Sequence, residues 1–143
     1  MGMKSPSCHP SAAASGLRWG LLRSALDSEA VSAQVQGECF GAVVCFEGRV
    51  RREEDGRNIA AIAYEAYDKM ALLELSKIAA ETERRWPVKA ALWHRIGRVA
   101  VGEASVVVAC AGAHRPEAFA ACEFAIDALK HRAPIWKAEF EFL

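Results

Sequence analysis

Residues 104–142 have the sequence ASVVVACAGAHRPEAFAACEFAIDALKHRAPIWKAEFEF, which predicts a strand, a helix and a second strand. Ser105–Cys110 is almost entirely apolar, as expected for a central strand buried on both faces. Pro116 suits the first position of a helix, and Pro134 prevents the helix from continuing. Ile135–Phe142 alternates apolar and polar residues, which predicts a half-buried final strand. The apolar stripe predicted for the helix consists of Phe119, Cys122, Ile126 and Leu129.

The sequence before this stretch predicts strands and helices in an interleaved order. Asp27 is a candidate N-cap for a short helix that reaches about Gln36. The β-branched and aromatic segment Cys39–Arg51 predicts a strand, kinked or bulged at one of its glycines. The other predicted elements are a strand over Ile59–Tyr67, a helix over Lys69–Arg85 with Asp68 as its N-cap, and strands over Val88–Arg95, Arg98–Val101 and Ala104–Ala113. Because these elements form no regular βαβ units, we predict an α+β fold.

Length and charge limit the possible functions. The chain has 143 residues, enough for one domain with a core of its own. We expect residues 1–16 to be a disordered tail and 17–143 to form that single domain. Eighteen basic residues balance 18 acidic ones, which argues against nucleic-acid binding. The apolar runs are too short to span a membrane, and the five cysteines show no zinc-ligand spacing. We therefore predict a cytoplasmic protein without a bound metal.

His114 and Arg115 form the first candidate binding site. They precede Pro116 at a predicted helix start, where free N–H groups and the helix dipole favour anions. The Arg115 guanidinium could hold a phosphate or carboxylate through two hydrogen bonds. The alternative is a surface histidine and arginine with no ligand.

Lys130 and Lys137 form the second candidate site. Pro134 lies between them, so a tight turn could bring both amines to one pocket. Two neighbouring ammonium groups lower each other's pKa, and burial lowers it further. Such a lysine could act as a nucleophile or general base. The alternative is a pair of solvated lysines.

Other candidate residues carry weaker signals. Arg49, Arg51 and Arg52 follow a predicted strand and could bind an acidic partner or a phosphate, or simply be a charged strand end. Cys110 and Cys122 could be sulfur-carrying nucleophiles. Their apolar surroundings favour a core role instead, because burial raises a thiol pKa.

The distance between the two candidate sites suggests a dimer. His114 and Lys130 are 16 residues apart on one predicted helix. At the helical rise they are separated by about 24 Å. One small-molecule site therefore cannot easily use both from one subunit, and we hypothesise a site shared across a homodimer.

Residues 37–140 contain an ordered series of short motifs. The motifs are Gly41-Ala42, Phe46-x-Gly48-x-Val50-Arg51, Tyr64-Glu65-Ala66-Tyr67, Met70-Ala71, Arg85-Trp86-Pro87, His94-Arg95-Ile96-Gly97, Val101-Gly102-Glu103, His114-Arg115-x-x-Ala118-Phe119 and Leu129-Lys130-x-x-x-Pro134-Ile135-Trp136-Lys137-x-Glu139. This series resembles the large, catalytic subunits of molybdopterin synthases. Each motif is short, but their order and spacing together are specific. The N-terminal 36 residues match only loosely.

The resemblance implies a fold, partners and a reaction. The fold would be an α/β hammerhead with a mostly antiparallel sheet and packed helices. A homodimer would form the core of a heterotetramer, and each subunit would bind a ubiquitin-like sulfur carrier. The carrier's C-terminal Gly-Gly tail, as a thiocarboxylate, would deliver sulfur to cyclic pyranopterin monophosphate and so form the molybdopterin dithiolene. No cofactor, nucleic acid or membrane is implied.

The resemblance also implies roles for particular residues. Lys130 would be the catalytic lysine beside the carrier's C-terminus, and Lys137 the second active-site lysine. Residues that match the pterin phosphate pocket are Arg51, His114 and Arg115, and the residues that flank these contacts are Arg49, Val50, Ala138 and Glu139.

One departure keeps other functions open. The family continues after Lys-x-Glu with a tail that contains Gly and Trp, whereas this chain has Phe140-Glu141-Phe142-Leu143. A non-catalytic dimeric module that binds the carrier is therefore an alternative. A sulfurtransferase that uses a cysteine persulfide is a third hypothesis, disfavoured by the apolar surroundings of the cysteines.

Overall fold

The computed structural model describes residues 16–143, so residues 1–15 of the predicted tail lie outside the described residues. The elements are β1 (Trp19–Leu22), α1 (Ser28–Ala33), β2 (Ala42–Arg49), β3 (Glu53–Glu54), β4 (Arg57–Ala66), α2 (Asp68–Arg85), β5 (Val88–Arg95), β6 (Gly97–Ala100), β7 (Ala104–Gly112), α3 (Arg115–Arg132) and β8 (Ile135–Phe142). The predicted α+β fold is confirmed. No helix in the described part of the chain is long and apolar enough to cross a membrane.

The first sheet has the strand order β1-β5-β7-β2 and carries the main core. β7 lies inside this sheet and is buried at every position, as its apolar sequence predicts. Only β1 and β5 are parallel; the other pairs are antiparallel. Helices α2 and α3 cover one face of the sheet, where Leu75, Ile78 and Leu129 are buried. Helix α1 covers the other face through Val31.

The second sheet is built around β4. Residues Ala61–Tyr64 of β4 pair with β6 and, on the opposite edge, with β8. The short β3 pairs with the start of β4 through a turn at Asp55 and Gly56. A small core of Ile59, Ile62 and Val99 lies against this sheet. The second sheet holds β8, and with it Lys137, next to the end of α3.

Several local predictions can now be compared with the structure. Asp27 caps α1, since its Oδ1 accepts a hydrogen bond from the Glu29 N–H at 3.0 Å. The predicted N-cap Asp68 is wrong: Tyr67 is the N-cap, without a side-chain hydrogen bond, and Asp68 begins the helix. The register of β2 shifts between Gly48 and Arg49, so the predicted irregularity at a glycine is confirmed.

The predicted apolar stripe of α3 is partly wrong. Cys122 and Leu129 are buried, but Phe119 is 60% exposed. The buried face is formed mainly by small residues, namely Ala118, Ala121, Ala125 and Ala128. Small side chains let the helix approach the sheet closely, so the large apolar residues do not mark its inner face. Leu72 of α2 is likewise exposed, whereas Leu75, Ile78 and Ala79 are buried as predicted.

Candidate functional site

Lys130 and Lys137 lie on either side of the turn that joins α3 to β8. The helix ends when the Ala133 N–H donates to the Leu129 carbonyl at 3.0 Å. The Pro134 carbonyl then accepts from the Tyr67 N–H at 3.1 Å, which ties the turn to the start of α2. Lys130 belongs to the last turn of α3 and Lys137 to β8. Across this short turn the two lysines are close enough for the charge of Lys137 to act on Lys130.

The environment of Lys130 disfavours its charged form. Its side chain reaches solvent, but partial desolvation lowers the pKa of the amine, and the positive charge of Lys137 lowers that pKa further. None of the ion pairs found in residues 16–143 involves Lys130. A lysine with a lowered pKa and no carboxylate partner supplies more neutral amine near pH 7 than an ordinary surface lysine.

Lys137 has a carboxylate partner and lies next to a bulge in β8. Its Nζ lies 3.2 Å from Glu54 Oε1, so β3 supplies an acid to the site. The β4–β8 register changes here, because Tyr64 pairs with Lys137 while Ala63 pairs with Glu139. Ala138 is thus an extra residue in β8. Such a bulge redirects the neighbouring side chains.

A buried histidine, His94, lies within the electrostatic influence of Lys130. It is 3% exposed, and its ring meets the Tyr64 ring edge-on with 5.1 Å between centroids. Its Nδ1 lies 2.8 Å from the Arg95 carbonyl oxygen. Burial lowers the pKa of His94 to about 4, and the charge of Lys130 acts in the same direction.

Arg49, Val50 and Arg51 lie at the end of β2. Arg49 Nε donates to Glu47 Oε1 at 3.0 Å, and Val50 is buried and hydrogen-bonded to the turn at Gly102. Arg51 is exposed. A cavity of about 310 Å³ lies here. It is lined by the ends of β2, β5 and β7 and by the start of α1, with Arg49, Arg95, Glu47, Glu103 and Asp27 among the charged residues.

His114 and Arg115 lie at the opposite end of the first sheet. His114 is the N-cap of α3, with an extended backbone, and Arg115 and Pro116 begin the helix. They line a cavity of about 470 Å³ together with Gly41 and Ala42. Both side chains are exposed. This is the helix start at which the sequence predicts an anion site.

The strand directions show which candidate residues lie together within one subunit. β2 and β7 are antiparallel, with Ala42 opposite Gly112 and Arg49 opposite Ala104. Since α3 returns along β7, its C-terminal Lys130 lies at the same end of the sheet as Arg49. His114 and Arg115 remain at the far end, about 24 Å away along the helix. A single subunit therefore contains both parts of the predicted site but does not bring them together.

The cysteine hypothesis finds no support in the local environment. Cys110 and Cys122 are free and buried. The Cys122 Sγ contacts the Val108 carbonyl oxygen at 3.6 Å, and the pKa of Cys110 is raised by its hydrogen bond with Cys122 and by burial. Cys110, with its raised pKa, is therefore a poor nucleophile. The hydrogen bond with Cys110 lowers the pKa of the Cys122 thiol, but burial shields that thiol from an external sulfur donor.

Three residues near the lysines were not predicted as part of a site. They are Glu54, Tyr64 and His94, which come from three different strands. The motif residues Tyr64 and His94 were visible in the sequence, but only the pairing of β4 with β8 places Tyr64 beside Lys137. Glu54 belongs to the short strand β3, in a charged stretch of sequence with no local pattern that indicates a contact with residue 137.

Comparisons with known proteins identify the family of this chain. The model of the MoaE protein family matches residues 21–132. A molybdopterin synthase catalytic subunit from Nostoc sp. is 47% identical over 116 residues, which cover 80% of this chain and 70% of that protein. Molybdopterin synthase from Staphylococcus aureus has a similar structure, with a TM-score of 0.84, 31% identity, and coverage of 88% of this chain and 92% of that one.

A structure from Helicobacter pylori is a complex of subunits 1 and 2 of molybdopterin-converting factor. One of its chains matches with a TM-score of 0.72 and 26% identity, over 87% of this chain and 88% of that one. The family model covers most of the chain, and the Nostoc relative is matched over more than two thirds of its length. This chain therefore belongs to the MoaE protein family.

Proposed function

We propose that this chain is the catalytic subunit of a molybdopterin synthase. It transfers sulfur from a thiocarboxylated carrier to cyclic pyranopterin monophosphate and forms the molybdopterin dithiolene. The observation that carries the chemical part of the proposal is the pair Lys130 and Lys137, in which partial desolvation and the second charge lower the pKa of Lys130.

Lys130 acts at the reacting carbon of the carrier's tail. A carrier that ends in a thiocarboxylate brings a negative charge, and the transfer of sulfur develops further charge at that carbon. The Lys130 amine acts there in its neutral form, and a fixed cation beside it stabilises the developing charge. Lys137 supplies this cation, and it lies next to the bulge at Ala138. The sulfur arrives on the partner, so no cysteine of this chain has to carry it.

The phosphate of the pterin is held by Arg51, His114 and Arg115. The start of α3 offers free N–H groups and a favourable dipole for an anion, and the arginines can each make two hydrogen bonds to phosphate. Arg49, Val50, Ala138 and Glu139 flank these contacts. These roles follow the family resemblance, and the exposure of His114 and Arg115 beside a cavity supports them.

The complete site forms between two copies of the chain. Within residues 16–143, β2 pairs only with β7, so its other edge is open. Val43 and Phe46 on this strand and Phe119 on the adjacent helix are exposed. A twofold axis beside this apolar surface and perpendicular to α3 would place α3 of one copy antiparallel to α3 of the other. The start of one helix would then lie near the end of the other, where Lys130 is.

Product formation tests the proposal. The purified chain is incubated with thiocarboxylated carrier and cyclic pyranopterin monophosphate, and the dithiolene product is measured. We expect product from the wild type and none above background from Lys130→Ala, with carrier binding retained. Lys77→Ala, at an exposed lysine of α2, is the matched control and should be as active as the wild type.

The same experiment evaluates the alternative. A chain that binds the carrier but yields no product would be a non-catalytic dimeric binding module. Wild-type activity in Lys130→Ala would contradict the assignment of Lys130.

A further inference from the structure

His94 faces the lysine end of α3 from inside the core. Residues alternate between the two faces of β5. Ala90 and Leu92 belong to the core beneath α2 and α3, and His94 continues that series. Leu129, the residue before Lys130, lies in the same core. The imidazole therefore lies at one end of the core beneath α2 and α3, and this is the end that contains the last turn of α3 with Lys130.

The hydrogen bond to Arg95 fixes the tautomer of His94. A carbonyl oxygen only accepts, so Nδ1 carries the proton that it shares with the Arg95 carbonyl at 2.8 Å. Burial keeps the ring neutral, because it lowers the pKa to about 4. In this state Nε2 has a lone pair and no proton. It is an uncharged hydrogen-bond acceptor whose electrostatic neighbour is the Lys130 amine.

Among the described residues, the hydrogen bond of the His94 ring uses Nδ1 and not Nε2. Tyr64 contacts the ring edge-on, and the same tyrosine pairs with Lys137 across the β4–β8 register. Glu54 of the neighbouring strand β3 is paired with Lys137. Lys130 takes part in none of the ion pairs of the described residues. His94 Nε2 is thus an uncharged acceptor near Lys130, the lysine that has no carboxylate partner.

We propose that His94 is a positioning residue for Lys130: its Nε2 accepts a hydrogen bond from the Lys130 amine and orients that amine toward the reacting carbon. A carboxylate in this place would also orient the amine, but it would hold it as an ammonium ion. The neutral imidazole also orients the Lys130 amine, but it favours the ammonium form of that amine less than a carboxylate would. This inference rests on the proposed function, because it needs Lys130 to act in the reaction.

Substitutions at His94 separate positioning from folding. His94→Leu removes the acceptor at similar volume, whereas His94→Gln offers an amide oxygen near the position of Nε2. His94→Asn keeps a donor for the Arg95 carbonyl but does not reach the Nε2 position. His131→Leu is the matched control, since His131 is an exposed histidine next to Lys130 that bonds to the Asp127 carbonyl oxygen at 2.8 Å.

The readouts are kcat for dithiolene formation, KM for the pterin, carrier affinity and Tm. We expect His94→Leu and His94→Asn to lose about 100-fold in kcat, the size of effect produced by a misplaced catalytic group. KM and carrier affinity should stay within about threefold, as for an interaction made mainly in the transition state. His94→Gln should recover most of kcat, and His131→Leu should match the wild type.

Two results would overturn the inference. One is an active His94→Asn or His94→Leu with unchanged kcat. The other is equal loss in the Leu, Asn and Gln variants in parallel with a lower Tm, which is the pattern of a purely structural residue. If the proposed function is wrong, the result is different: the wild type itself forms no dithiolene.

Discussion

The Lys137 Nζ lies 3.2 Å from Glu54 Oε1, so one lysine of the candidate site has a carboxylate partner and the other, Lys130, has none in the described residues. The two amines are therefore different. Lys137 is held by an acid from β3, and its charge acts on Lys130 and lowers the pKa of the Lys130 amine. This difference leads to a prediction about pH dependence.

Replacement of Lys137 with methionine should raise the pKa of Lys130. The substitution removes the positive charge that lowers that pKa, so a higher pH is needed for the same fraction of neutral amine. We expect the acid limb of the pH profile of kcat to move to higher pH. The measurement is single-turnover dithiolene formation across the pH range at saturating carrier.

The Glu54→Gln variant is the matched control for this pH shift. It removes the carboxylate that partly balances Lys137, so the net positive charge near Lys130 increases and the acid limb should move to lower pH. Shifts in the same direction for both variants would contradict an electrostatic coupling between the lysines.

Mixed dimers should recover activity if the site is shared. A His114→Ala chain and a Lys130→Ala chain are each expected to be inactive alone. In a mixed dimer, one of the two shared sites would contain both native residues. A random equal mixture should therefore regain about a quarter of wild-type activity. Native mass spectrometry verifies that mixed dimers form, and inactivity of these dimers would contradict the shared site.

Replacement of Cys110 with alanine should leave sulfur transfer intact. The residue is buried, and the loss of its sulfur from the core should cost about 1 kcal/mol of stability. We expect unchanged kcat and a slightly lower midpoint in urea unfolding. If a well-folded Cys110→Ala chain lost activity, a cysteine persulfide mechanism would have to be reconsidered.

Replacement of Glu83 with alanine should destabilise the first sheet. Glu83 Oε2 accepts from Arg18 Nη2 and from the Ala90 N–H, both at 2.9 Å, and Arg18 is 6% exposed. The substitution leaves a buried guanidinium without its counter-ion, which should cost about 3 kcal/mol in the free energy of unfolding.

Glu141→Ala is the control for this stability prediction. Glu141 pairs with Arg98, and both side chains are exposed. Exposed pairs contribute little to stability, so we expect no measurable change in the urea midpoint. Equal destabilisation by the two variants would show that burial of the Arg18–Glu83 pair has no special effect.

The elements that the sequence predicted well have strong local signals. β7 has an unbroken apolar sequence, α3 begins at Pro116, and Pro134 separates the helix from β8. β1 was missed, because it has four residues and its partner β5 lies about 70 residues further along the chain. The exposed Phe119 shows a second limit, since alanines form the inner face of α3 and a search for large apolar residues selects the wrong face.

The candidate site was predicted only where the residues are close in sequence. Lys130 and Lys137 are separated by one short turn, and the charge of Lys137 acts on Lys130. The contacts of Glu54, Tyr64 and His94 depend on strand register, which a single sequence does not fix. The roles of the individual residues remain predictions that the experiments above test.

The open edge of β2 has a consequence for engineering. An uncovered edge strand offers its backbone N–H and C=O groups to any extended chain, and exposed Val43 and Phe46 make this edge apolar as well. A variant designed to stay monomeric should therefore aggregate rather than persist as a soluble single subunit. Charged or proline substitutions on β2 would be needed to obtain one, so assembly and solubility of this chain cannot be altered independently.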